Sequence, residues 1–386
     1  MAEKVRSGGR IRARKEKTVH RAARGVKKVR YIDYTLLFMV IFLLGFGMVM
    51  LYSTSAYNAT LRMGDSAYYL KRQMMAAALG FAGMFVCVKM DYRIFQKLSG
   101  LAYIGSLALC VLVIFLGSGK DDSNRWFRIG GLSIQPSEIA KVAVIIFLAA
   151  MVSRAPKQMR DFKYCIRVIA AILPLFAVVA YTNLSTAVII MGIAVIMVFV
   201  ANPNYKPFFA IAGVMVVAVI VFINMASYRQ DRIQAWLDPE STDKGYQTLQ
   251  GLYAIGSGGL FGKGLGESVQ KLGFVPEAQN DMIFSIICEE LGLFGAICVI
   301  LMFLLLLWRF MVIANHAKDM FGSYLVIGIM AHIALQVILN IAVVTNTIPN
   351  TGITLPFISY GGTSIAILLT EMGVALSVSK GLQIDM

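Results

Sequence analysis

The sequence predicts an all-α polytopic membrane protein, with about ten transmembrane helices and one large ordered extracytoplasmic loop. Hydrophobic residues make up 58% of the 386-residue chain and charged residues 15%, against about 45–50% and about 25% in soluble domains. Several apolar runs approach or exceed the roughly 20 residues that cross a hydrocarbon core about 30 Å thick. Lipid offers no partner to a free backbone N–H or C=O, so the spanning segments must be helical.

The elements follow in chain order. Residues 1–31 hold twelve of the 36 Lys and Arg and contribute most of the +15 net charge. They run directly into the first apolar segment, with no separate apolar stretch ahead of it. The tail therefore reads as a disordered cytoplasmic anchor obeying the positive-inside rule, not as a cleavable signal peptide or a nucleic-acid arm. Residues 32–386 form the membrane domain, with spans expected at 32–52, 74–89, 99–118, 138–153, 166–182, 185–201, 207–226, 282–309, 322–344 and 360–379. With the tail inside, the loops near 89–98, 154–165, 202–206 and 310–321 face the cytoplasm. RAPKQMRDFKYCIR at 154–167 suits that side, and an even number of spans returns the C-terminus to it. The five cysteines show no CxxC spacing and the three histidines are scattered, so no metal-ligand cluster is readable. The cofactor is unknown, and the sequence leaves open whether a divalent cation takes part.

The long loop at about 227–281 is the largest element outside the membrane after the tail, and function concentrates on such loops. Trp236, several Tyr and short apolar runs within it predict a segment that folds back on the outer membrane face, partly as interfacial helix. Ionisable groups at bilayer depth are costly and line polar interiors. Glu138 and Lys141, at i and i+3 in QPSEIAK, share a helical face. They form either a structural ion pair or a cationic site for an anionic lipid headgroup. Asp281 closes the loop ahead of MIFSIICEELG, where a carboxylate also suits a helix N-terminus. Glu289 and Glu290 are expected near mid-span, in structural hydrogen bonds, and Glu371 within the last span. GSGGLFGKGLGES does not match a nucleotide-binding pattern. Its glycines with Lys263 suggest either a cradle for a lipid pyrophosphate or tight turns. TLPFISYGGTS predicts a kinked or re-entrant entry to the last span, with Ser359 among its hydroxyls.

Four stretches, NRWFRIGGLSIQPSEIAK, GYQTLQGLYAIGSGGLFGKGLGES, VPEAQNDMIFSIICEELG and LPFISYGGTS, occur in this order in the SEDS family (FtsW, RodA, SpoVE). The chain resembles that family over essentially all of its length after residue 31. QK at 270–271 and PEA at 276–278 are more similar to FtsW and SpoVE than to RodA. The resemblance implies a peptidoglycan glycosyltransferase of the bacterial inner membrane that polymerises lipid II during cell division. It implies partnership with a class B penicillin-binding protein and other divisome membrane proteins, at the division septum. The family's outer-loop Asp falls on Asp281. Its TDFIF reads NDMIF here, and its PDLGT reads TNLST, with Asn183 replacing an acid.

The chemistry that the resemblance implies is compatible with these residues. A pyrophosphate leaves a donor sugar without help from an acid, so one base acting on the acceptor hydroxyl suffices. No histidine is expected outside, and Glu138 is matched by Lys141, which leaves Asp281 as the candidate base. An Asp near its ordinary value of about 3.9 is a weak base, so partial burial would have to raise it. Lys141, Arg125, Lys263 and Lys271 are the candidate holders of the departing pyrophosphate. Two rivals stand beside this reading: a lipid II flippase or transporter, and a non-catalytic divisome scaffold.

Overall fold

The computed structural model describes residues 32–118, 124–129, 132–202, 233–242 and 245–380, together with 204, 208 and 213. Helix α1, Tyr34–Met63, opens on Asp33, whose carboxylate accepts from the Leu36 N–H at 2.9 Å. Arg309 binds the other oxygen of that carboxylate at 2.7 Å, which ties the start of α1 to a later helix. Thirty residues give about 45 Å of helix, more than a hydrocarbon core needs. The stretch 53–63, expected as loop, therefore continues α1 beyond the apolar layer.

Helix α2, Tyr68–Lys89, carries Lys71, Arg72 and Gln73 in its second turn, and its apolar remainder is short for a full span. It packs along α11, Gly362–Ser379, through small residues. A Cβ on Gly80 would lie 2.8 Å from Leu369, and one on Gly373 would lie 2.5 Å from the Met84 carbonyl. Small residues let two helix backbones approach where lipid supplies no hydrophobic drive. Helix α3, Arg93–Leu116, leads into a two-stranded hairpin, β1 Phe127–Ile129 and β2 Leu132–Ile134, with Arg128 opposite Ser133. The sequence reading placed a plain loop there.

Helix α4, Pro136–Arg154, starts with Pro in its first turn, where a missing N–H costs nothing. The fifth expected span is two helices, α5 Phe162–Ala170 and α6 Leu173–Thr182, bent by 43°. Pro174 in the first turn of α6 explains the bend: it has no N–H to donate, and its ring clashes with the carbonyl four residues back. Helix α7, Leu184–Ala201, follows with Asn183 as its N-cap, the side chain accepting from the Thr186 N–H at 3.2 Å. That capping role suits Asn as well as the acid usual in the family. Apart from residues 208 and 213, the expected span 207–226 lies outside the described residues.

Helix α8, Tyr246–Gly258, belongs to the long loop, so helix within that loop is observed. Helix α9, Ile283–Asn315, is interrupted at Gly292 (φ 67°, ψ −168°), and α10 is Met320–Val344. Among the described residues seven helices are long and apolar enough to cross a membrane, or eight with the bent pair taken as one span. Large apolar side chains such as Phe38, Leu101, Phe115, Phe294 and Trp308 point outward, while Glu138, Lys141, His332, Asn340 and Glu371 are buried. Apolar outside and polar within is the arrangement expected of a bundle whose solvent is lipid.

Candidate active site

The break at Gly292 organises the loop side of the molecule. A helix interrupted there leaves carbonyls before it and N–H groups after it without intrahelical partners. The glycine-rich run supplies both kinds of partner. The N–H groups of Lys263 and Gly264 donate to the carbonyls of Glu289 and Glu290 at 2.9 and 3.0 Å. The N–H groups of Leu293 and Phe294 donate to the carbonyls of Gly259 and Leu260 at 2.9 and 3.1 Å. Backbone meets backbone so closely that a Cβ on Gly258 would lie 2.0 Å from the Cys288 carbonyl oxygen, and one on Gly262 2.2 Å from that of Glu290. This run, a series of turns with left-handed glycines at 259, 262, 264 and 266, therefore splices the broken helix.

The same break corrects the placement of Glu289 and Glu290. They stand at the head of the long apolar helix that begins at Leu293, not in the middle of a span. Each is fully buried and paired. Glu289 meets Lys263 at 2.6 Å and accepts from Ser257, Ser268 and the N–H groups of Val269 and Gln270. Glu290 meets Lys271 at 2.7 Å and Ser53 of α1 at 2.7 Å. Lys271 donates besides to the Gly266 carbonyl at 2.6 Å. Lys263 and Lys271, two of the candidate pyrophosphate holders, are thus engaged by carboxylates, and Lys271 is buried with its partner.

Asp281 stands two residues ahead of α9 and is 8% exposed. Its backbone carbonyl accepts from the Asn340 amide at 2.8 Å, and the same amide binds the Ile353 carbonyl at 2.8 Å. Its Oδ1 accepts from the Gln247 amide at 3.2 Å, and Gln247 in turn accepts from Asn350 at 3.2 Å. Sequence reasoning missed Gln247, Asn340 and Asn350: uncharged amides in loops and helices carry no signal of their own until the elements meet.

Glu138 and Lys141 form a buried pair at 2.9 Å, with Lys141 only 1% exposed. Helices α4 and α10 run antiparallel, with a Cβ on Gly328 2.5 Å from Ile145. Lys141 therefore lies level with His332, about 12 Å along α10 from Asn340 at 1.5 Å per residue. His332, Gln336 and Asn340 recur at i, i+4 and i+8 and line one face of α10. His332 Nδ1 meets Glu371 at 3.0 Å. Glu138 Oε2, His332 Nε2 and Gln336 Oε1 have no hydrogen-bond partner among the described residues. Buried polar side chains thus extend along α10 from Asn340, which holds the Asp281 carbonyl, to His332.

The remaining predicted residues are placed as follows. Ser359 is buried, and its Oγ accepts from the Leu355 N–H at 2.8 Å. Gln73 brackets this turn, donating to the Ser359 carbonyl at 3.0 Å and accepting from the Gly361 N–H at 3.1 Å. Phe357 holds a left-handed φ of 64°, and a Cβ on Gly47 would lie 2.4 Å from its carbonyl oxygen. The expected re-entrant entry is thus an ordered turn pressed against α1, and Ser359 secures it. Arg125 is half-buried beside Trp126, whose backbone pairs with Ser118 ahead of the hairpin. Among the described residues no three His, Cys, Asp or Glu side chains are grouped to hold a metal.

The sequence profile of the FtsW/RodA/SpoVE family, described as cell cycle protein, matches residues 34–383. This chain belongs to the FtsW/RodA/SpoVE family. It is 39% identical over 354 residues to the stage V sporulation protein E of Bacillus subtilis strain 168, covering 90% of this chain and 97% of that one. It is 37% identical over 360 residues to a probable peptidoglycan glycosyltransferase FtsW of Geobacter sp. strain M18, covering 92% and 98%. Among solved structures, one described as structural coordination of polymerization and crosslinking by a peptidoglycan synthase complex superposes with a TM-score of 0.76 at 26% identity, over 92% of this chain and 99% of that one. Thermus thermophilus RodA superposes at 0.68 and 25% identity, with the same coverage. An FtsW/RodA/SpoVE fold accounts for the ordered loop, the polar interior and the order of the four motifs.

Proposed function

We propose that this chain is a peptidoglycan glycosyltransferase that polymerises lipid II on the outer face of the bacterial cytoplasmic membrane. The observation that carries the reading is a buried acid, Asp281, whose backbone carbonyl is held by Asn340 and whose carboxylate is held by Gln247, in a bundle that also buries the Lys141 ammonium. Its relatives' names supply the reaction class.

In this reaction the acceptor sugar hydroxyl attacks the anomeric carbon of the donor. The new C–O bond forms as the bond to pyrophosphate breaks, with inversion. Asp281 takes the hydroxyl proton, and the undecaprenyl pyrophosphate departs with the electron pair. Lys141 and Arg125 are the cations proposed to meet that charge, together with Lys263, whose side chain stays about one-third exposed while paired with Glu289. Both termini lie in the cytoplasm in this reading. The chain acts at the division septum with a class B penicillin-binding protein, as one member of a larger assembly of division proteins.

A second reading draws on the buried His332–Glu371 pair, since ionisable pairs inside a bundle also serve transporters. Purified protein in detergent micelles, given lipid II with and without its cognate penicillin-binding protein, separates the two. Micelles have no compartments, so glycan strands there mean polymerisation. No strands with either composition would leave transport or scaffolding as the function.

A further inference from the structure

Asp281 does not present its carboxylate unaided. Gln247, the second residue of α8, donates from Nε2 to Asp281 Oδ1 at 3.2 Å and to the Pro276 carbonyl at 3.4 Å. Both acceptors lack a proton to give, so the amide nitrogen must face them. Asn350, in the loop between α10 and α11, donates to Gln247 Oε1 at 3.2 Å. That contact fixes which end of the Gln247 amide points at the carboxylate. A reversed amide would set oxygen against oxygen. Three segments far apart in sequence therefore meet in one directed chain, Asn350 to Gln247 to Asp281. On the far side of the carboxylate, Gly352 holds φ +68°, and a Cβ there would lie 4.0 Å from Oδ2.

We infer that Gln247, oriented by Asn350, is a positioning residue that fixes the rotamer of Asp281 for attack on the acceptor proton. The inference rests on Asp281 being the base. Gln247 touches neither sugar in this account and acts through the carboxylate it holds. A donor to the charged form of an acid also weakens it as a base. The contact is therefore worth keeping only because orientation gains more than basicity loses, and misplacing a reacting group by about 1 Å costs about 10²-fold in rate. The two effects have opposite signs, which a residue serving only stability would not show.

The test is the pH–rate profile of lipid II polymerisation by the full chain with its transpeptidase, for wild type, Gln247→Glu, Gln247→Leu, Asn350→Ala and Asp281→Asn. Gln247→Glu keeps the shape of the side chain, so it remains informative even if the leucine variant unfolds. It should lower kcat about 10²-fold, change KM for lipid II less than threefold, and move the acid limb up by about one pH unit through like-charge repulsion. Asn350→Ala should lower kcat less, and adding it to Gln247→Glu should cost little more, because both act through one contact. A Gln247→Glu profile superimposed on wild type, with Asp281→Asn inactive, would overturn the inference while leaving Asp281 as the base. Full additivity of Asn350→Ala and Gln247→Glu would overturn it too. An active Asp281→Asn would instead remove the reading on which it rests.

Discussion

Gly262→Ala is the sharpest test of the broken-helix architecture. The added Cβ would lie 2.2 Å from the Glu290 carbonyl oxygen, 2.4 Å from its carbon and 2.6 Å from the Gly292 nitrogen. All three are backbone atoms, so no side chain can swing aside. Holding alanine at φ +79° costs about 1–2 kcal/mol. Backing the loop away breaks the bonds from the Lys263 and Gly264 N–H groups to the carbonyls of Glu289 and Glu290, at about 0.5–1.5 kcal/mol each. The sum is about 2–5 kcal/mol. Gly256→Ala is the internal control, because nothing lies within 4 Å of its Cβ position in α8 and alanine favours helix by about 1 kcal/mol. Thermal unfolding in detergent should show Gly262→Ala well below wild type and Gly256→Ala at or above it. Equal midpoints for the two variants would refute the splice.

Three further outcomes follow from the same geometry. Lys271→Met strands Glu290 without its cation and should cost about 3–5 kcal/mol; Glu290→Gln in the same chain should recover most of that, and a double-mutant cycle without coupling would contradict the pairing. Asn340→Leu leaves the buried carbonyls of Asp281 and Ile353 without their shared donor, at about 1–3 kcal/mol each, so both unfolding midpoint and polymerisation rate should fall. At the opposite end of the bundle, burial pushes the Asp319 carboxyl up, but hydrogen bonds from the Gly322 N–H, Tyr92 and Arg93 hold it below its ordinary 3.8. A lowered carboxylate stabilises the fold above the unfolded value and loses that contribution as pH falls through the folded one. Asp319→Asn should therefore be less stable than wild type at pH 7, with the gap closing below about pH 3.8; a gap that widens in acid would be contrary to this.

The membrane spans were legible because lipid permits one backbone solution and hydropathy reports it. Each expected span within the described residues coincides with a helix or with the bent pair. The break in α9 was not legible, since one glycine beside an apolar run is no signal of a break and the turns that pair with it lie about thirty residues earlier in the chain. Glu289 and Glu290 were misplaced for that reason, and the glycines near Lys263 gave no sign that their turns also fill a backbone gap. Lys271 read as an available cation because sequence spacing does not show Glu290 beside it. Asp281, Glu138 and Lys141 were singled out through motif order and the cost of charge near a membrane, and the structure shows all three buried. Gln247 and Asn350 become visible only when α8 and the α10–α11 loop meet.

The most direct measurement compares lipid II polymerisation by wild type and Asp281→Asn, each purified with the cognate penicillin-binding protein, alongside lipid II binding and thermal unfolding. The account predicts glycan strands from wild type and none from Asp281→Asn, with lipid II binding and unfolding midpoint retained. Strands of equal length from both proteins would contradict it and move the base to another group.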